Sequence, residues 1–136
     1  MDGKRFMSPQ LIVLFNHTLT ESQREDGRRS LGAGMFLEPP AEVRSLWADV
    51  PPELESLEDY LAPVRSWLQD CARPGDFLLV QGDFGATWLM VRFALGIGIV
   101  PVYSTTRRAA AEEPQPDGSV RLTHRFQHVR FRRYGE

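Results

Sequence analysis

His17 stands directly after the apolar run Gln10 to Phe15, inside the polar stretch Asn16-His17-Thr18-Leu19-Thr20. An imidazole titrates near neutral pH. At the mouth of a buried strand it can act as general acid or base or donate to a phosphate, and it can equally be a structural hydrogen bonder. A second cluster, Gly82-Asp83-Phe84-Gly85-Ala86-Thr87, joins a strand pattern to a helix pattern. Gly82 and Gly85 permit tight turning and close backbone approach, while the helix start offers unpaired N–H groups and a positive dipole end to an anion, with the Thr87 hydroxyl alongside. The same residues also make an ordinary strand-to-helix turn capped by Asp83. A third cluster, Ser104-Thr105-Thr106-Arg107-Arg108, sets hydroxyls beside guanidinium groups that grip phosphate oxygens in pairs; as a solvated charge pair after a strand it needs no ligand. Towards the end, His124, Arg125, His128, Arg130, Arg132 and Arg133 interleave with Phe126 and Phe131. That pattern suits an RNA-binding face, or a solvated hairpin whose aromatic edge meets the core.

The elements that must position these clusters are readable. Gln10 to Phe15 is a continuous, partly β-branched apolar run, the mark of a strand buried on both faces. Thr20 with Gln23 forms a capping-box signature for a helix over 21–31, ended by Gly32 and Gly34 before a short strand, Met35 to Leu37. Ala41 to Trp47 reads as a short helix. Leu54, Leu57, Leu61, Val64 and Leu68 then give an amphipathic helix over 54–72, kinked at Pro63 and closed by Pro74-Gly75. Asp76 to Gln81 is a third strand, Trp88 to Leu95 a helix apolar nearly all round and hence expected to be buried, and Ile99 to Tyr103 a fourth strand leading into a loop over 104–108. Trp47, Trp67 and Trp88 read as core. Around Asp117-Gly118 the tail reads as a hairpin, with a slip in alternation between Phe126 and Val129 that implies a bulge or a change of face.

Repeated strand–helix alternation predicts an α/β fold: a small, open, mainly parallel Rossmann-like sheet with helices on both faces and a C-terminal antiparallel hairpin. Ligands of such sheets bind beyond the carboxyl ends of the strands, where the three polar segments fall. With 136 residues, 42% hydrophobic and 25% charged, the chain is expected to be one globular domain over 1–136, with residues 1–9 a flexible extension. Its one cysteine, Cys71, has no partner in the chain, and no Cys or His cluster has zinc-ligand spacing, so no metal or cofactor is expected. The apolar run at residues 11–15 is too short for a signal or membrane segment, which points to the cytoplasm. The net charge of −2 hides an asymmetry: residues 38–76 are rich in Asp and Glu, residues 101–136 in arginine, and Lys4 is the only lysine.

Four segments, LFNHTLT at 14–20, VQGDFGAT at 80–87, PVYSTTRR at 101–108 and HRFQHVRFRRY at 124–134, together with PPELESLEDYL between them, resemble a small stand-alone Csx-type family of CRISPR-associated proteins. These have a CARF-like fold and belong to the ring nuclease group of type III systems. The resemblance spans residues 10–134 and departs from the family pattern at Asn16, an amide where the motif often carries a serine, so a role needing a hydroxyl there is weakened.

The resemblance implies a homodimer that binds a cyclic oligoadenylate, with cyclic tetra-adenylate preferred, and opens it, switching off antiviral signalling. A ribose 2′-OH can attack the adjacent phosphodiester in line without metal, provided that the protein positions it, stabilises phosphoryl charge and helps move protons. On this reading His17 supplies acid or base chemistry, Asp83 accepts the 2′-OH proton or orients His17, and Thr106 with Arg107 stabilises the oxyanion. Asn16, Thr18, Gly82, Phe84, Gly85, Thr87, Thr105, Arg108, His128 and Arg130 are the expected ligand contacts. Neither a membrane nor duplex DNA is an expected partner. Two alternatives remain: a messenger-sequestering sponge without catalysis, and an RNA-binding adaptor using the basic hairpin.

Overall fold

A computed structural model describes residues 7–136, so residues 1–6 of the expected N-terminal extension lie outside the described residues. Pro9 is tied down, its carbonyl accepting from Gly34 N–H at 3.0 Å. The elements are β1 (Gln10–Leu14), α1 (Glu21–Ser30), β2 (Met35–Leu37), α2 (Ala41–Ala48), α3 (Ala62–Cys71), β3 (Phe77–Val80), α4 (Phe84–Gly96), β4 (Val100–Pro114) and β5 (Val120–Arg133). They build one five-stranded sheet in the order β2-β1-β3-β4-β5. Its first four strands run parallel, and β5 returns antiparallel to β4. This is the expected α/β architecture.

Strand alternation splits the core between the two faces. Ile12, Leu14, Leu78 and Val80 pack under α2, α3 and α4, whereas Leu11, Val13, Leu79 and Val102 face the side that α1 covers, joined there by Phe131. Both sides of β1 and β3 are buried, which is why their sequences are unbroken apolar runs.

α1 is unusual because its sequence, ESQREDGRRS, contains no apolar side chain, yet Gln23, Asp26 and Gly27 are buried. Close approach comes from Gly27: a Cβ there would meet the Phe36 ring at 2.9 Å and Leu11 at 3.4 Å. The remaining attachment is polar. The capping box forms as expected, Thr20 Oγ1 accepting from Gln23 N–H at 3.2 Å while Gln23 Oε1 accepts from Thr20 N–H at 2.9 Å.

Four expectations are corrected. The helix expected over 54–72 begins only at Ala62, with Pro63 in its first turn, where a missing N–H costs nothing, instead of kinking a longer helix. α4 starts at Phe84 because Asp83 Oδ2 caps it, accepting from Ala86 N–H at 3.0 Å. It is not buried all round: Phe84, Trp88 and Leu95 are 95%, 60% and 58% exposed, so Trp88 is no core residue. Residues 104–108 are not a loop but the middle of β4, whose pairing with β5 continues to Pro114. The expected slip is a bulge, Thr105 pairing with Arg130 and Thr106 with His128 so that Val129 is the extra residue.

Candidate functional site at the carboxyl edge of the sheet

Because β1 and β3 pair in parallel with Leu14 opposite Val80, the two chains leave the sheet side by side, and Gln81 N–H still bonds to Leu14 O at 3.1 Å. This sets Asn16, His17 and Thr18, all exposed, next to Gly82, Asp83, Phe84 and Gly85, also exposed. The His17 and Phe15 rings meet in a T-shaped pair with centroids 5.1 Å apart, and His17 is otherwise exposed. Neither Gly82 nor Gly85 has a positive φ, so neither is present for a left-handed turn. Gly82 is a packing requirement: a Cβ there would lie 2.7 Å from Trp47 Nε1, which donates to Gln81 O at 2.9 Å. At Gly85 a Cβ would make only ordinary contacts at 3.5 Å, so this glycine leaves a face of the helix start uncrowded. The Asp83 carboxylate occupies part of the anion-attracting helix end, so an incoming phosphate must share it.

Beside this edge lies an open groove of about 560 Å³ lined by Phe84, Thr87, Trp88, Val91, Leu95, Tyr103 and Tyr134. Thr87 Oγ1 is buried at its wall with no hydrogen-bond partner among the described residues. Tyr134 donates its hydroxyl to Val80 O, and Arg132 lies over the Tyr103 ring, 5.6 Å from its centroid, donating to the Tyr103 hydroxyl at 3.1 Å. Burial pushes the Tyr134 hydroxyl pKa up, helped by neighbouring Tyr103, so it remains a neutral donor. Tyr103, Tyr134 and an exposed Trp88 were missed in the sequence, and Arg132 was read there only as part of a basic hairpin face, because only the antiparallel return of β5 brings Arg132 and Tyr134 beside α4.

The expected residues do not all gather. Thr105 is at the edge, but its hydroxyl stitches the bulge, donating to Arg130 O at 3.1 Å and accepting from Arg130 N–H at 3.2 Å. The exposed Arg130 side chain stays at that level. Thr106, Arg107 and Arg108 continue outward along β4, opposite His128, Gln127 and Phe126, beyond the level at which β3 stops pairing with β4.

His128 is the clearest departure, since its side chain is only 3% exposed and cannot meet a ligand as it stands. Its Nε2 lies 2.7 Å from Asp26 Oδ2 and its Nδ1 2.6 Å from Ser104 Oγ. A carboxylate only accepts, so Nε2 carries a proton, and in the neutral ring Nδ1 accepts from the Ser104 hydroxyl. Gln23 Nε2 donates to the same oxygen at 3.3 Å, and Ser104 N–H donates to Gln81 Oε1 at 2.8 Å. The Asp26 carboxyl also accepts from Ser30 Oγ at 2.5 Å. Burial pushes its pKa up, but the hydrogen bonds from Ser30 and His128, the charge that His128 carries when protonated and the charge of Arg29 outweigh this and hold it below the ordinary value. The serine–histidine–carboxylate series has the parts of a nucleophile relay. Here it is a closed internal chain, every member satisfied, that docks polar α1 onto β4 and β5.

Among the described residues no three His, Cys, Asp or Glu side chains are grouped to hold a metal ion, and no helix is long and apolar enough to cross a membrane. A family model described as the Uncharacterized protein MJ1673 family matches residues 9–132. The chain belongs to that family. Within it, a Methanocaldococcus jannaschii protein named Uncharacterized protein MJ1673 is 40% identical over 126 residues, covering 93% of this chain and 97% of that protein. The MJ1673-family match therefore takes in the carboxyl edge, α4 and the hairpin together. No solved structure matches the chain.

Proposed function

We propose that this MJ1673-family chain binds a cyclic oligoadenylate at the carboxyl edge of its sheet and opens the ring, acting as a ring nuclease in a homodimer. The observation that carries this reading is that β1 and β3 end level, so the exposed His17 and the helix-capping Asp83 leave the sheet at the same edge, where Gly82 and Phe84 line an aromatic groove of about 560 Å³. That volume falls within the roughly 300–1,000 Å³ of small-molecule sites. Phe84, almost wholly exposed, offers an adenine a stacking surface. Arg130 at the edge and the α4 N-terminus offer positive charge to the phosphate. In the reaction the 2′-OH gives its proton to His17 and its oxygen bonds to phosphorus. The bond from phosphorus to the 5′ oxygen breaks, that oxygen takes a proton, and a linear product with a 2′,3′-cyclic phosphate results. The nucleophile is part of the substrate, so the protein's task is positioning and proton transfer. Asp83 is held by its cap at Oδ2 and turns its other oxygen to the ribose or to His17.

The test is incubation with labelled cyclic tri-, tetra- and hexa-adenylate, with and without EDTA, and analysis of the products. Cyclic tetra-adenylate is expected to open in either condition, and His17→Ala to slow single-turnover cleavage about 100-fold while leaving affinity within a few-fold. Tight binding with intact ligand recovered after long incubation would replace the nuclease by a sponge. Failure to bind any of the three rings, alongside tight binding of linear RNA, would replace it by an RNA adaptor.

A further inference from the structure

The two segments of the open edge are both rooted in Ser104, a buried residue of β4. Backbone pairing of β3 with β4 ends at Leu79 and Val102. Two residues further along each chain the contact continues through a side chain, Ser104 N–H donating to Gln81 Oε1 at 2.8 Å. Gln81 is the root of the Gly82-Asp83 segment. It is clamped on its other sides as well, its N–H donating to Leu14 O at 3.1 Å and its carbonyl accepting from Trp47 Nε1 at 2.9 Å.

The His17 segment reaches the same serine by another route. It runs from the end of β1 to the α1 cap, where Gln23 Oε1 accepts from Thr20 N–H at 2.9 Å. The other end of that amide, Nε2, donates to Ser104 Oγ at 3.3 Å. A glutamate would complete a capping box as a glutamine does, but a carboxylate has no donor to offer Ser104. Position 23 therefore has two tasks: the cap uses its oxygen and the sheet uses its nitrogen. Behind Ser104 its hydroxyl donates to His128 Nδ1 at 2.6 Å, and His128 Nε2 donates to Asp26 Oδ2 at 2.7 Å. Gln23, Asp26 and Ser104 are all buried, so water does not replace a lost partner without cost.

We infer that Ser104, acting through Gln23 and Gln81, is the positioning residue of the open edge: it ties the His17 and Asp83 segments into one frame, so that neither shifts alone. The use of this frame in ring opening rests on the reading above, whereas the tie itself does not. His17 and Asp83 are exposed, and exposed segments take their geometry from what anchors their ends. In-line attack needs that geometry, since a displacement of about 1 Å can cost about 100-fold in rate. Bonds from buried neighbours supply the required precision.

Amide hydrogen exchange without nucleotide tests the tie. Gln81→Met keeps the length of the side chain and removes the acceptor of Ser104 N–H, while Ser104→Ala removes the hydroxyl that receives Gln23. Each is expected to speed exchange more than about tenfold at both Thr20 and Ala86, whose N–H groups are held by Gln23 and Asp83, with β1 and β3 protected as in wild type. Gln81→Met, at a half-buried position, decides the matter if Ser104→Ala loses its fold by circular dichroism. Wild-type exchange at both amides, faster exchange only on the mutated side, or equal speeding throughout β1 and β3 overturns the shared frame.

Single-turnover opening of cyclic tetra-adenylate at saturating ligand reads the consequence. Gln81→Met should slow it about tenfold with affinity within about threefold. Gln81→Glu restores an acceptor for Ser104 N–H and should return the rate to within about threefold of wild type, its added charge being read in affinity instead. Wild-type rate in Gln81→Met, or a Gln81→Glu chain no faster than Gln81→Met, overturns the positioning role. A wild-type chain that opens no ring sinks the nucleotide reading alone, and exchange still decides the tie.

Discussion

Two histidines lie at the level where the parallel strands end, on opposite sides of a single issue, access to water. His17 leaves β1 into solvent, paired with one aromatic ring and exposed, at the same sheet edge as the capped start of α4. His128 sits on the β5 bulge with a carboxylate on one nitrogen, a hydroxyl on the other and the Phe131 ring 4.6 Å away. The second arrangement resembles catalytic machinery more closely in distances, yet its hydrogen-bonding capacity is spent inside the protein. A relay becomes chemistry only when a substrate atom can take one of its places. In the proposed reading the same residue types serve reaction at the open edge, while in the closed chain they serve attachment.

The largest effect expected from this contrast is on stability. His128→Ala removes the partner of Asp26 Oδ2 and of Ser104 Oγ at once, leaving a carboxylate and a hydroxyl buried and under-bonded. A cost of about 3 kcal/mol or more in urea unfolding is expected, because α1 has no apolar stripe to hold it in place. His17→Ala should unfold within about 0.5 kcal/mol of wild type, as exposed substitutions usually do. Equal stabilities for the two variants would break the contrast.

The two regions differ as much in how far the sequence reveals them. The open edge was legible because its signals are local: apolar runs β1 and β3 each end in a polar segment, and parallel pairing must bring those ends together. Asp83 as a cap and Thr20 with Gln23 as a capping box are likewise decided within four residues. The closed chain joins Asp26 to His128 across 102 positions and depends on a bulge that swings His128 onto the α1 face. No local pattern carries that register. One signal was available: a capped helix without an apolar side chain, between a buried strand and a short edge strand, has to dock through polar groups and a glycine. Reading α4 as buried failed for the converse reason. An all-round apolar helix can also spend one face on a groove, and only the fold shows that Phe84, Trp88 and Leu95 stay uncovered.

A second, smaller effect appears in acid. The folded state holds the Asp26 carboxyl below its ordinary value of 3.8, so the unfolded chain binds that proton more readily than the folded one. The stabilisation is therefore complete above the unfolded value and is lost as pH falls through the folded one. Unfolding free energy followed from pH 6 down to pH 2 should decline below about pH 4 in wild type. Asp26→Asn should show a smaller decline over the same range, and His128→Ala should shrink it too by removing two of the influences that lower the Asp26 pKa. Identical acid limbs in wild type and Asp26→Asn would remove the closed chain from the account.

The smallest effect probes the open edge through Asp83, whose two oxygens are given different work. Oδ2 caps α4, and an N-cap carboxylate replaced by alanine costs about 1 kcal/mol, whereas asparagine caps nearly as well. Asp83→Ala is therefore expected to lose about 1 kcal/mol in urea unfolding, and Asp83→Asn no more than about 0.3 kcal/mol. Cleavage should divide the variants differently: an amide oxygen still accepts a hydrogen bond but bears no charge to orient the ribose or His17, so both should slow single-turnover opening by about tenfold or more. A stable Asp83→Asn protein that opens the ring at the wild-type rate would make Asp83 a cap and nothing else. Proton transfer at the edge would then rest on His17 alone, and the difference between the two histidines would carry the whole distinction between the open region and the closed one.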